Sequence, residues 1–259
     1  MRHYSLALLG LLALSAGALA QQGAQPPPAG TPEQLNDRLA NWEKAMTDVR
    51  SILAKVSRTD VNKVRGQNTV KAGEVRCLKV DAGGGKVDKL ALLYLAEKDD
   101  PKSYEKYICT GDLLYSFSPR EQTLYVKKLR EKLTDDTFLS FLFEMKAAAL
   151  KKRFEMTLVR PDDPNYVYID IKPLKEEDKV EFQRARLVLF KRDYLPAQLW
   201  FEEPNGNHHT WDLSNIKAND AGVKATDFVA PEKPAGWEMK EVKDREPESK
   251  PRVIRPSGK

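Results

Sequence analysis

Few side chains in this sequence are grouped in a way that could do chemistry. Apart from His3, the histidines are His208 and His209, adjacent and just after Asn205-Gly206. Neighbours on a strand point to opposite faces, so the two cannot chelate one metal while the strand stays regular, and they read as surface or hairpin residues. Asp99-Asp100 and Asp162-Asp163 lie beside prolines in turns, whereas a glycosidase pair must converge across a cleft from different elements. Gly83-Gly84-Gly85-Lys86 looks like a phosphate loop. A P-loop, however, needs a glycine at the position held by Val80 and a Ser or Thr at that of Val87. With no Gly-x-Ser-x-Gly elbow, His-Glu-x-x-His helix or Gly-x-Gly-x-x-Gly turn, the reading is of a non-enzyme with no catalytic residue, metal site or cofactor.

Cys77 and Cys109 are the remaining reactive pair. An oxidising compartment would favour a disulfide between them. Yet if the strands form a simple meander, a further strand lies between theirs, and two spacings of ~4.8 Å exceed the ~7 Å Cα limit of a bridge. Bridged cysteines and two buried thiols both stay open on sequence.

The elements that must position these residues come next. Residues 1–20 have the form of a signal peptide: Arg2 and His3, a leucine-rich run from Leu6 to Leu14, then Ala18-Leu19-Ala20 as a small-x-small cleavage site. No cysteine precedes Cys77 to carry a lipid anchor. Cleavage near Ala20 would free the protein in the periplasm or medium with no transmembrane span. Lys and Arg number 43 against 38 Asp and Glu, and they alternate with one another rather than forming a basic face with stacking aromatics. Nucleic acid is therefore excluded as a partner.

Residues 21–30, with Pro26-Pro27-Pro28, form a spacer. At Thr31-Pro32-Glu33-Gln34, a capping residue, a proline at the first helical position and a glutamine three residues after the cap open a helix. Leu35, Leu39, Trp42, Met46 and Val49 make its stripe. Period-two strands follow near 52–59, 68–80, 87–96, 104–110, 113–117 and 123–129, joined by turns too short for crossovers. Thr134 and Asp135 can cap a second helix, with Phe138, Leu142, Met145 and Ala149 on one face, widened by Leu139, Phe141 and Phe143. Further strands are expected near 154–160, 166–172, 184–190, 196–202 and 209–217, the last two forming a hairpin at Asn205-Gly206. Residues 243–259 are charged and Pro-containing, with little to bury, and read as a disordered tail.

Two stretches within this order carry a resemblance. Gly111 to Gln122 contains Asp112, Tyr115, Phe117, Pro119 and Gln122, and Phe228-Val229-Ala230-Pro231 is followed by Pro234-Ala235-Gly236. These resemble motifs of the LolA-like superfamily, the periplasmic carriers of outer-membrane lipoproteins and their relatives. Gly111 and Asp112 stand in reversed order and Tyr115 replaces a common Trp, which points to a secreted branch rather than the carriers themselves.

The resemblance covers about 31–242 and implies an α+β fold: a strongly curved antiparallel sheet, an unclosed β-barrel, with two amphipathic helices on its concave face. It further implies a monomeric binding or carrier module for acyl chains of lipids or lipoproteins in the cell envelope. The alternative on the same fold is an envelope sensor that binds a protein partner. The cavity side chains expected from the residue pattern are Trp42 and Met46 of the first helix and Phe138, Phe141, Leu142 and Met145 of the second. Leu199, Phe201, Trp211 and Leu213 join them from the hairpin, with Gln198, Glu202 and Asp212 towards water.

Overall fold

The computed structural model describes residues 28–84, 86–100, 102–129, 146–180 and 182–242. The first element is α1, Pro32–Asp48. Its capping box is formed: the Gln34 amide donates to Thr31 Oγ1 at 3.2 Å, and the Thr31 amide donates to Gln34 Oε1 at 2.9 Å. Leu35, Leu39, Trp42 and Met46 are buried along one stripe, as a four-three-four spacing requires.

Six strands follow: β1 Ser51–Asn62, β2 Gln67–Gly83, β3 Lys86–Glu97, β4 Tyr104–Thr110, β5 Leu113–Ser118 and β6 Thr123–Lys128. After α2, Ala147–Arg153, come β7 Phe154–Val159 and β8 Tyr166–Pro173. The rest of the chain holds α3 Glu176–Lys179, β9 Arg184–Phe190, β10 Pro196–Glu202, β11 His208–Ala218 and β12 Glu238–Val242. The strands expected from two-residue periodicity all form, with ends shifted by three residues at most.

All twelve strands belong to one sheet in the order β12-β6-β5-β4-β3-β2-β1-β11-β10-β9-β8-β7, and it does not close. Two antiparallel meanders, β1 to β6 and β7 to β11, are joined where β1 pairs with β11, Arg58 opposite Trp211 and Asp60 opposite His209. One pair departs from the antiparallel expectation: β12 runs parallel to β6. Glu238–Val242 has no buried position and no alternating apolar pattern, so only tertiary pairing reveals it as an edge strand.

The main core lies on the face that carries α1. There Leu39, Trp42 and Met46 meet Ile52, Ala54 and Val56 of β1, Val75 and Cys77 of β2, Leu93 and Leu95 of β3, and residues of β7 to β11. Leu150 of α2 joins the same core, and the Ala147 amide donates to Glu43 Oε2 of α1 at 3.1 Å. This helix starts at Ala147, after an extended Lys146, and runs to Arg153, past the expected Ala149; the start expected near Thr134 lies outside the described residues. Its candidate residues Phe138, Phe141, Leu142 and Met145 lie outside the described residues. On the opposite face, Phe228 in a 3-10 turn, Ala225–Phe228, packs with Leu90 and Val223 against Leu53, Leu78 and Leu92. The closing motif therefore anchors the return of the chain towards β12.

Cys77 and Cys109 are buried and not bridged to each other, and the Cys109 thiol donates to the Lys89 carbonyl at 3.3 Å. Each is paired in register with Ala91 of β3, which stands between them as the meander argument requires. Burial pushes the Cys77 thiol far above its ordinary value, with Cys109 adding to the shift.

Candidate functional site

Six of the ten expected cavity residues are described, and the α1 face brings all six together. Trp42 and Met46 are each 1% exposed; Leu199, Trp211 and Leu213 are buried in the same core, and Phe201 packs against its edge. Alternation on β10 and β11 aims Leu199, Phe201, Trp211 and Leu213 inward, with Leu199 opposite Trp211 and Phe201 opposite His209. Gln198 and Asp212 stand across from each other on the outward side, joined by a 2.7 Å hydrogen bond. The Trp42 indole N–H is buried without a hydrogen-bond partner among the described residues.

Further along the strands the same face turns from apolar to charged. After Ile52, Ala54 and Val56, the alternation of β1 continues with Arg58 and Asp60. The Arg58 guanidinium donates to both carboxylate oxygens of Glu105 on β4, at 2.7 and 2.6 Å, and through Nε to Asp60 at 3.0 Å. It also lies 5.0 Å from the centre of the Trp211 ring, so one indole ends the apolar core and begins the ionic belt. Lys71 of β2 donates to Glu105 at 2.7 Å. His209 Nδ1 lies 2.6 Å from Asp60, and Nε2 lies 3.0 Å from Glu203 in the β10–β11 turn.

The electrostatics follow from this geometry. Burial drives the Arg58 pKa down, but Glu105 and Asp60 more than offset it and leave the guanidinium more firmly charged. Burial likewise pushes Asp60 and Glu105 up, and the hydrogen bonds from His209 and Arg58, and from Arg58 and Lys71, hold each below its usual carboxylate value. The Asp60 hydrogen bond raises His209 above 6.5, against burial and with further help from Glu203. Of the two sequence readings, surface or hairpin, His209 is a hairpin residue, and its side chain is half-buried rather than at the surface. Its partners, 149 residues before it and 6 before it, converge only when β1 pairs with β11. The signal that sequence did carry was Arg58 and Asp60 falling in phase with the apolar positions of β1.

An imidazole with a carboxylate on each nitrogen cannot also take a proton from a nucleophile, so His209 is not placed as a general base. Among the described residues no group of three or more His, Cys, Asp or Glu could hold a metal ion. No described helix is long and apolar enough to cross a membrane.

No family model and no curated protein matches the sequence. The chain is similar in structure to a LolA superfamily protein from Nitrosomonas europaea, at 12% identity and a TM-score of 0.37 over 75% of this chain and 97% of that one. It is similar to a DUF1329 family protein from Desulfovibrio piger at 10% identity and 0.45, over 76% and 97%. It is also similar to the MucA/MucB complex of Pseudomonas aeruginosa at 11% and 0.41, over 75% and 60%. These likenesses concern the fold alone.

Proposed function

We propose that the chain is an exported, non-catalytic and monomeric module that holds the acyl chains of a lipid or lipoprotein in the cell envelope, on the concave side of an unclosed barrel. The observation that supports it is the convergence of Trp42, Met46, Leu199, Phe201, Trp211 and Leu213 on the α1 face of a sheet that does not close. In this reading Phe138, Phe141, Leu142 and Met145 complete the lining. Methionine and aromatic side chains suit an adaptable apolar site.

Each buried methylene contributes ~0.8 kcal/mol, so affinity should rise about fourfold per CH₂ with little selectivity for the head. Titration with fluorescent fatty acids of eight to sixteen carbons measures this slope. No binding by folded wild type, or equal binding by a folded Phe141→Asp variant, would return these side chains to plain core. Export is tested by N-terminal sequencing of secreted material, which should begin at Gln21.

A second reading, an envelope module that binds a protein, is favoured by β12. Its residues are all exposed, Met239 at 50% and Val242 at 40%, and no described strand pairs with its outer edge, the kind of edge that accepts strand addition. Co-purification of a protein without lipid from the native host would support this second reading over the first.

A further inference from the structure

Beside the ionic belt, on the α1 face, lies a groove of about 530 Å³, within the roughly 300–1,000 Å³ of small-molecule sites. Its chemistry differs from that of the apolar core. Among the described residues no Leu, Ile, Val, Met or Ala lines it; Tyr107 and Tyr125 supply aromatic rings on its face, and Ser116 and Ser118 supply hydroxyls. The ionic groups that line it are balanced, Asp60, Glu97 and Glu105 against Lys71, Lys102 and Arg120. Those on the strands are already fixed: Lys71 reaches Glu105 at 2.7 Å and Glu97 at 4.0 Å, and Glu105 also holds Arg58.

Three ligand classes fit this lining badly. An acyl chain would strip water from Lys71 and Glu105 and return no hydrogen bond. A phosphate or carboxylate would meet Glu97 and Glu105 at the cation it sought, and an ammonium would meet Lys71. A hydroxyl, by contrast, donates to a carboxylate and accepts from an ammonium at once. A ring bearing several hydroxyls can therefore bridge the Lys71–Glu105 pair without breaking it. The apolar C–H face of such a ring packs on an aromatic side chain, and Ser116 and Ser118 both donate and accept. The ion pairs, locked before a ligand arrives, lower the entropic cost of ordering the site.

We propose that this groove is a binding site for a short neutral saccharide, separate from the apolar site. The test is a two-dimensional amide NMR titration of the exported chain with maltotriose, cellotriose and triacetylchitotriose. Sodium phosphate and octanoate serve as charged and apolar comparisons. At least one saccharide should shift amides of β4, β5 and β6 in a saturable way. Ser116→Trp, which fills the groove, and Tyr125→Ala, which removes part of its wall, should each weaken that affinity tenfold or more while the rest of the spectrum stays native. Absence of saturable shifts with all three sugars at 20 mM overturns the proposal. So does saccharide binding unchanged in both folded variants, or a groove response to phosphate alone. Octanoate shifts confined to core amides report on the acyl site separately, so either site can fail without the other.

Discussion

Raising the pH should destabilise this protein by discharging one half-buried histidine. A neutral imidazole has one N–H and one bare nitrogen, so between Asp60 and Glu203 one nitrogen must face a carboxylate lone pair; only the imidazolium donates to both. The folded-state pKa of His209 is accordingly raised above 6.5, chiefly by the Asp60 hydrogen bond. A group raised on folding contributes stability that is complete below its unfolded value of about 6.5 and disappears as pH rises through the folded value. Asp60 and Glu203 are shifted down, so their contributions are lost only in acid and do not confuse the alkaline limb.

Two charge-assisted hydrogen bonds could contribute ~1.5–3 kcal/mol each when fully buried. The side chains of His209, Asp60 and Glu203 are 22%, 23% and 32% exposed, so solvent screens them, and a total of ~1–3 kcal/mol is the working value. With a urea slope of ~2 kcal/mol per molar, the midpoint should fall by roughly 0.5–1.5 M between pH 5.5 and pH 9. In His209→Gln the fall should vanish, because glutamine does not titrate, whatever stability it loses at every pH by donating only from its amide nitrogen. An NMR-detected His209 pKa at or below 6.5, or the same slope in the variant, would refute the reasoning.

Three further outcomes follow from the core. Trp42→Ala should cost ~3–5 kcal/mol, whereas Trp42→Phe should cost far less, because the buried N–H it removes has no partner among the described residues; urea denaturation yielding equal losses would mean that the indole is hydrogen-bonded. Cys77 and Cys109 should resist a thiol reagent in native protein and give two equivalents after unfolding without reductant, and a total of zero would establish a disulfide. Gly73→Ala should lose at least ~3 kcal/mol, since a Cβ there would stand 1.8 Å from the Tyr94 carbonyl oxygen; a near-wild-type melting curve would show that β2 and β3 can part at that point.

The sequence by itself determined the local elements. Thr31 and Gln34 could cap only a helix, and the spacing of Leu35, Leu39, Trp42 and Met46 dictated which stripe of α1 is buried. Two-residue alternation aimed Leu199, Phe201, Trp211 and Leu213 at one side of the hairpin, because strand geometry leaves no other choice once one member points inward. Three things waited for the tertiary structure. The pairing of β1 with β11 joins residues some 150 positions apart, and no local pattern encodes it. That pairing alone makes His209 a clamped cation rather than a surface residue. Glu238–Val242 is a strand only because β6 offers it an edge, since its charged side chains carry no periodicity of their own. The charged half of the α1 face escaped a sequence reading for a similar reason. Arg58, Lys71, Glu105 and His209 each look like a solvated charge in isolation, and burial became tolerable only when four strands set them within hydrogen-bond distance of one another.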